Sequence, residues 1–150
     1  MSGIADGGRI DDVGTGARSD RAARVRASDS LRLVLGVGMS SKATVEEVRA
    51  LAQRVVRQAD VRLDAVALVA TRERFVADDR ARIGPPVQGV DDAVLLERYP
   101  APPRTDGRGF AARVAEGCAM TAAGESAQLL VATTRSAHAT AALAAAGATR

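Results

Sequence analysis

Three short apolar runs, Leu31 to Val37, Ala65 to Ala70 and Gln128 to Ala132, alternate with stretches of helical spacing, and that alternation admits few folds. The first, Leu31-Arg-Leu-Val-Leu-Gly-Val37, reads as a buried strand. Gly38-Met-Ser-Ser-Lys-Ala43 follows as a loop. Thr44 with Glu47 is then the signature of a capping box, in which each side chain satisfies the other's free backbone N–H. Val45, Val48, Leu51, Ala52, Val55 and Val56 recur at helical spacing to about Ala59.

The second run predicts a strand over Ala65 to Ala70. The charged stretch from Thr71 to Arg82 predicts a short helix, and Gly84-Pro85-Pro86 then leaves room only for a brief edge strand around Val87. Asp91-Asp92 can cap a small helix through Leu95, Leu96 and Arg98. Pro100, Pro102 and Pro103 enforce an extended loop to Gly109. Phe110 to Ala123 reads as a helix stopped by Gly124, and the third run as a strand. Ala137 to Ala148 stays open: its alanines favour helix on propensity, whereas a short closing strand suits an alternating chain. The pattern predicts an α/β fold, a three-layer α/β/α sandwich with a central mixed sheet.

Residues 1–29 intersperse Gly, Asp and Arg with no apolar period, and such a segment buries too little to offset its ordering entropy. A disordered tail is expected there, with at most a fraying helix from Arg21 to Arg26, and one domain over 30–150. Phe75, Tyr99 and Phe110 are the only aromatic residues. That argues against stacking platforms for single-stranded nucleic acid and leaves a core of Ala, Val and Leu. The formal charge is +3, every basic residue but Lys42 is Arg, and the basic residues are scattered among acids. Neither a nucleic-acid nor a membrane-surface partner is expected from that distribution. One Cys, Cys118, and one His, His138, exclude a structural zinc site, and no metal or cofactor is expected. No apolar stretch is long enough to cross a membrane and the N-terminus lacks the apolar core of a signal peptide, so the default compartment is the cytoplasm.

Gly36-Val-Gly-Met-Ser-Ser-Lys-Ala-Thr44 lies between a strand end and a helix start. Its glycines allow a tight turn, the helix N–H groups point outwards, and Ser40, Ser41 and Lys42 add donors, which is the chemistry of an anion-binding loop. It lacks P-loop spacing, and Ser41 stands where a dinucleotide fingerprint needs its third glycine. A plain capped βα turn is the other reading of the same residues.

Gly36-Val-Gly38 followed by Ala43-Thr-Val-Glu-Glu-Val48 resembles the opening of the cobalamin-biosynthesis family that comprises CobE and the C-terminal domain of CbiG. Ala67-Leu-Val-Ala-Thr71 looks like that family's second strand. Val114-Ala-Glu-Gly-Cys-Ala119 with Ala123-Gly124 is similar to its helix motif, and Leu129-Leu-Val131 with Thr140-Ala-Ala142 resembles its last two strands. The resemblance covers roughly residues 31–147. The chain departs from the pattern where the family usually carries arginines after Gly38 and a Lys after Thr71: Met39, Ser40 and Ser41 precede a single cation, Lys42, and Phe75 holds the second position.

The resemblance implies a role in vitamin B12 synthesis, with a precorrin-type tetrapyrrole intermediate as partner. Such rings carry many carboxylates, for which helix N-termini, hydroxyls and cations are suitable partners. Gly36, Gly38, Ser40, Ser41, Lys42, Thr71, Glu116, Arg135 and Thr140 are the candidate substrate-binding residues, with Thr133 and Thr134 beside them. Two alternatives follow from the same resemblance. One is a subunit of a cobalt-precorrin-5A hydrolase, opening a lactone with release of acetaldehyde. The other is a non-catalytic interaction module for other enzymes of the pathway. No catalytic residue is assigned. Glu116 is readable as a base or as a cap and ion-pair partner, and Cys118 as an inert buried thiol. His138 is a candidate cobalt ligand without a carboxylate near it in sequence, and Asp78-Asp79 is either solvated or an acid–base pair.

Overall fold

The computed structural model describes residues 32–102 and 112–146. The expected tail over 1–29, its Arg21 to Arg26 stretch, Leu31, Phe110 and the loop beyond Pro102 lie outside them. Five strands, β1 (Leu33–Met39), β2 (Leu68–Arg72), β3 (Val87–Val90), β4 (Gln128–Arg135) and β5 (Ala139–Ala145), form one sheet in the order β3-β2-β1-β5-β4. β1, β2 and β3 run parallel, whereas β5 is antiparallel to both β1 and β4. The sheet is mixed, with the last strand beside the first at its centre, where Leu35 pairs with Val69 on one side and Leu143 on the other.

Helix α1 (Val45–Gln58) covers one face, and α2 (Asp92–Arg98) and α3 (Val114–Ala123) cover the other. The period-2 pleat of β1 sorts its residues between the two. Leu33, Leu35 and Val37 meet Val48, Leu51 and Val55 of α1, while Val34 joins Leu95, Cys118 and Ala119. The fold is the α/β class expected, in three layers. Small residues set the second interface: a Cβ on Gly36 would lie 1.9 Å from the Ala115 carbonyl oxygen, so α3 rests almost directly on the backbone of β1.

Several expectations are corrected. The second strand begins at Leu68, because Leu63–Ala65 closes a 3₁₀ turn through the Ala65 N–H to Arg62 and Val66 N–H to Leu63 bonds. The charged stretch from Thr71 to Arg82 holds two single 3₁₀ turns, Glu73–Phe75 and Asp79–Ala81, in place of one helix. α3 begins at Val114, since Ala112 bridges Pro100 and the Arg113 N–H donates to the Tyr99 carbonyl at 2.7 Å, holding the chain extended there. The alanine-rich end, open between helix and strand in the sequence, is strand β5 over Ala139–Ala145: burial between α1 and α3 overrides alanine's helix propensity. Asp91 caps α2 as expected, accepting from the Ala93 N–H at 2.9 Å, and Gly124 ends α3 at φ 102.

Candidate functional site

The carboxyl ends of β1, β2, β3 and β4, the β4–β5 hairpin and the N-termini of all three helices share one edge of the sheet. The first wall is the β1–α1 loop. The Ser40 N–H donates to the His138 carbonyl at 2.9 Å, the Ala43 N–H to the Ser40 carbonyl at 3.1 Å, and the Lys42 N–H to Ser40 Oγ at 3.3 Å. These bonds fold the loop back on itself and leave Ser40, Ser41 and Lys42 exposed.

Thr44 accepts the Glu47 N–H at 3.1 Å, which is half of the expected capping box. Glu47 does not return the bond. Its carboxylate accepts from Ser136 Oγ and from the His138 N–H, the latter at 2.6 Å, and so binds the β4–β5 hairpin to the start of α1. The Ser136 hydroxyl first, and then the His138 amide, hold the Glu47 carboxyl below the ordinary carboxylate range. A carboxylate thus does lie beside His138, on the side of its backbone, while the residue itself is exposed.

The second wall follows β2. Thr71 is fully buried and donates its hydroxyl to the Val37 carbonyl at 2.9 Å, so this candidate ties β2 to β1 and offers no surface to a ligand. Beyond it, Arg72 forms a fork on Asp92 at 2.9 and 2.7 Å, and Arg80 a fork on Asp78 at 2.9 and 2.7 Å. Arg80 also donates to the Ser40 and Ala43 carbonyls at 2.9 and 3.2 Å, bracing the first loop. The Arg80 guanidinium holds the Asp78 carboxyl at about 2, so Asp78 is a clamped structural anion at neutral pH.

The third wall is α3 with the hairpin. A Cβ on Gly38 would meet Thr140 Oγ1 at 2.7 Å and Val114 at 3.2 Å, so the glycine lets the start of α3 close over Thr140. Glu116 accepts the Thr133 N–H at 3.1 Å, and its other oxygen faces Arg113 at 3.5 Å. Arg135 is exposed, and its carbonyl accepts Arg54 Nη2 at 2.7 Å. Cys118 is sealed beneath α3, where burial pushes its thiol up to about 12 and leaves it inert as a nucleophile.

Gly38, Ser40, Ser41, Lys42, Glu116, Arg135 and Thr140 therefore gather at one edge, whereas Gly36 and Thr71 belong to the packing beneath it. Arg80 shapes that edge and escaped the sequence reading, as did the second role of Glu47, which the sequence marked only as a helix cap. Their partners Ser40, Ala43 and His138 lie up to 91 residues away, and nothing local marks those contacts. Among the described residues no three His, Cys, Asp or Glu side chains gather as a metal site, and no helix is long and apolar enough to cross a membrane. The opposite edge carries an open recess lined by Val56, Val61, Leu63, Val66, Ile83 and Pro85. Gln53, Arg57, Arg62 and Asp64 supply its polar groups, and the last two pair with each other at 3.3 Å. The candidate residues gather instead at the carboxyl edge, which we take as the site because ligands of open α/β sheets bind beyond the strands' carboxyl ends.

No family model and no curated protein matches this chain. Solved structures do. CobE, a protein from the cobalamin (vitamin B12) biosynthetic pathway, superposes with a TM-score of 0.65 at 26% identity, over 80% of this chain and 94% of that one. A structure described as a cobalamin biosynthesis protein G homolog from Sulfolobus solfataricus matches with a TM-score of 0.57 at 19% identity, over 78% of this chain and 37% of its own. Cobalamin biosynthesis protein chiG from Agrobacterium tumefaciens str. C58 gives 0.51 at 21% identity, over 75% and 96%. At those identities the last two speak to the fold alone.

Proposed function

We propose that this chain, whose structure is similar to that of CobE, serves cobalamin biosynthesis by holding a carboxylate-rich tetrapyrrole intermediate against the carboxyl edge of its sheet. The observation that carries the reading is the convergence at that edge of the exposed Ser40–Lys42 loop, the N-terminus of α1 and the cations following β2. Ring carboxylates gain most from charge-assisted bonds to such groups, and an open rim suits a wide, flat ligand better than an enclosed pocket. Arg80 keeps the loop in place before any ligand arrives, which lowers the ordering cost of binding.

Lactone opening by a cobalt-precorrin-5A hydrolase subunit is the catalytic alternative, and Glu116 would be its base at this edge. In this structure Glu116 is occupied by the Thr133 amide and faces Arg113, an arrangement that orders the start of α3. The inert Cys118 supplies no nucleophile. A carrier or binding role is therefore the reading the geometry supports best.

Purified protein incubated with a pool of precorrin and cobalt-precorrin intermediates should co-elute with a chromophore of unaltered mass. Lys42→Ala with Ser41→Ala should weaken that retention while leaving the thermal midpoint unchanged. Released acetaldehyde would identify a hydrolase instead. Retention of a protein partner without any chromophore would identify an interaction module for other pathway enzymes.

A further inference from the structure

The Phe75 ring is faced by three guanidiniums, with Arg72 at 5.7 Å, Arg74 at 5.2 Å and Arg80 at 5.8 Å from its centroid. Two of them hold carboxylates in forks, Arg72 on Asp92 and Arg80 on Asp78, which matches their charge locally. Arg74 differs: it is exposed, reaches no carboxylate within ion-pair distance among the described residues though its charge is felt by Asp92, and lies nearest the ring. Its neighbour Glu73 packs its stem over Gly89 of β3, with Cγ 3.3 Å from where a Cβ would stand there.

Arg80 links this cluster to the Ser40 and Ala43 carbonyls, so Arg74 stands on the same rim as Lys42. A guanidinium resting on an aromatic face is partly desolvated and restrained, and it loses less freedom when it then grips an anion. Its planar donors match a carboxylate in two parallel bonds, which an ammonium does not offer. Resting on the reading of a carboxylate-rich ligand, we infer that Arg74, held on Phe75, is a ligand-binding residue of this rim and takes one ligand carboxylate as a fork.

The test is titration of the full chain with cobyrinic acid, a corrin bearing free acetate and propionate groups, followed by its visible absorbance. Arg74→Gln should weaken binding about tenfold, as expected for one charge-assisted pair at a solvated rim. Arg74→Lys should fall between that variant and the wild type, because the charge remains and the fork is lost. Added salt should weaken the wild type more steeply than the Gln variant. Equal affinity of Arg74→Gln and the wild type overturns the inference and leaves the tetrapyrrole reading standing. Failure of the wild type to bind the corrin overturns both.

Discussion

At the residue scale, the positions that the family resemblance singles out divide into those that build the edge and those that face a ligand. Gly36 builds. A Cβ there would stand 1.9 Å from the Ala115 carbonyl oxygen, 2.7 Å from the Ala119 nitrogen and 2.9 Å from the Ala119 Cβ, and backbone atoms cannot rotate out of the way. Gly36→Ala must push α3 off β1, at a cost of about 3 kcal/mol or more for overpacking a closed core. Chemical denaturation should show a lower midpoint with an unchanged slope. An unchanged midpoint would mean that α3 does not lie on that strand. Thr71 also builds, since its buried hydroxyl is donated to Val37. In sequence both residues looked like ligand groups because motif and packing constraints fall on the same short segments. Only burial separates them from Ser40, Ser41 and Lys42.

At the element scale, the strand–loop–helix unit from β1 to α1 was legible because its signals are local: an apolar run, glycines, and Thr44 ahead of an amphipathic period. β5 was marked only by the resemblance of Thr140-Ala-Ala142 to a closing strand, because its alanines carry no periodic signal of their own. Their state is decided by what lies on either side of the sheet, with Ala141 facing α1 and Ala144 facing α3. The partners of Glu47 and Arg80 were likewise hidden, since both act across distant turns. Arg80 and Asp78 carry a pH signature. The Asp78 carboxyl sits at about 2 against an ordinary value of 3.8, so its ionised form favours the folded chain. The stability it contributes is present above the ordinary value and disappears as pH falls through the folded one. Because the pair is partly solvated, Asp78→Asn should cost only about 1 kcal/mol near neutral pH. The gap between variant and wild type should close as pH falls from 3.8 toward 2. A gap that stays constant across that range, read from urea midpoints, would show that charge is not what the clamp contributes.

At the scale of the whole molecule, two apolar layers share the strands between them. β1 sends Leu35 into the α1 layer and Val34 into the α3 layer, and β5 divides Leu143 and Ala144 the same way. Neither layer can open without exposing the backbone that supports the other, so the described chain should unfold as one cooperative unit. The single cysteine provides a reporter. Cys118 lies fully buried in the α3 layer with its thiol pushed up to about 12, and it should meet a thiol reagent only when the fold opens. Leu51 lies in the opposite layer, 3% exposed. Leu51→Ala touches nothing near Cys118, yet the cavity should cost about 2–5 kcal/mol. If the layers open together, labelling of Cys118 should accelerate about 30-fold or more, as a tenfold change per ~1.4 kcal/mol requires. Labelling at the wild-type rate in a demonstrably destabilised Leu51→Ala protein would mean that the α1 layer opens alone. The rim would then be the joint between two separable halves, because its β1–α1 loop belongs to one and the start of α3 to the other.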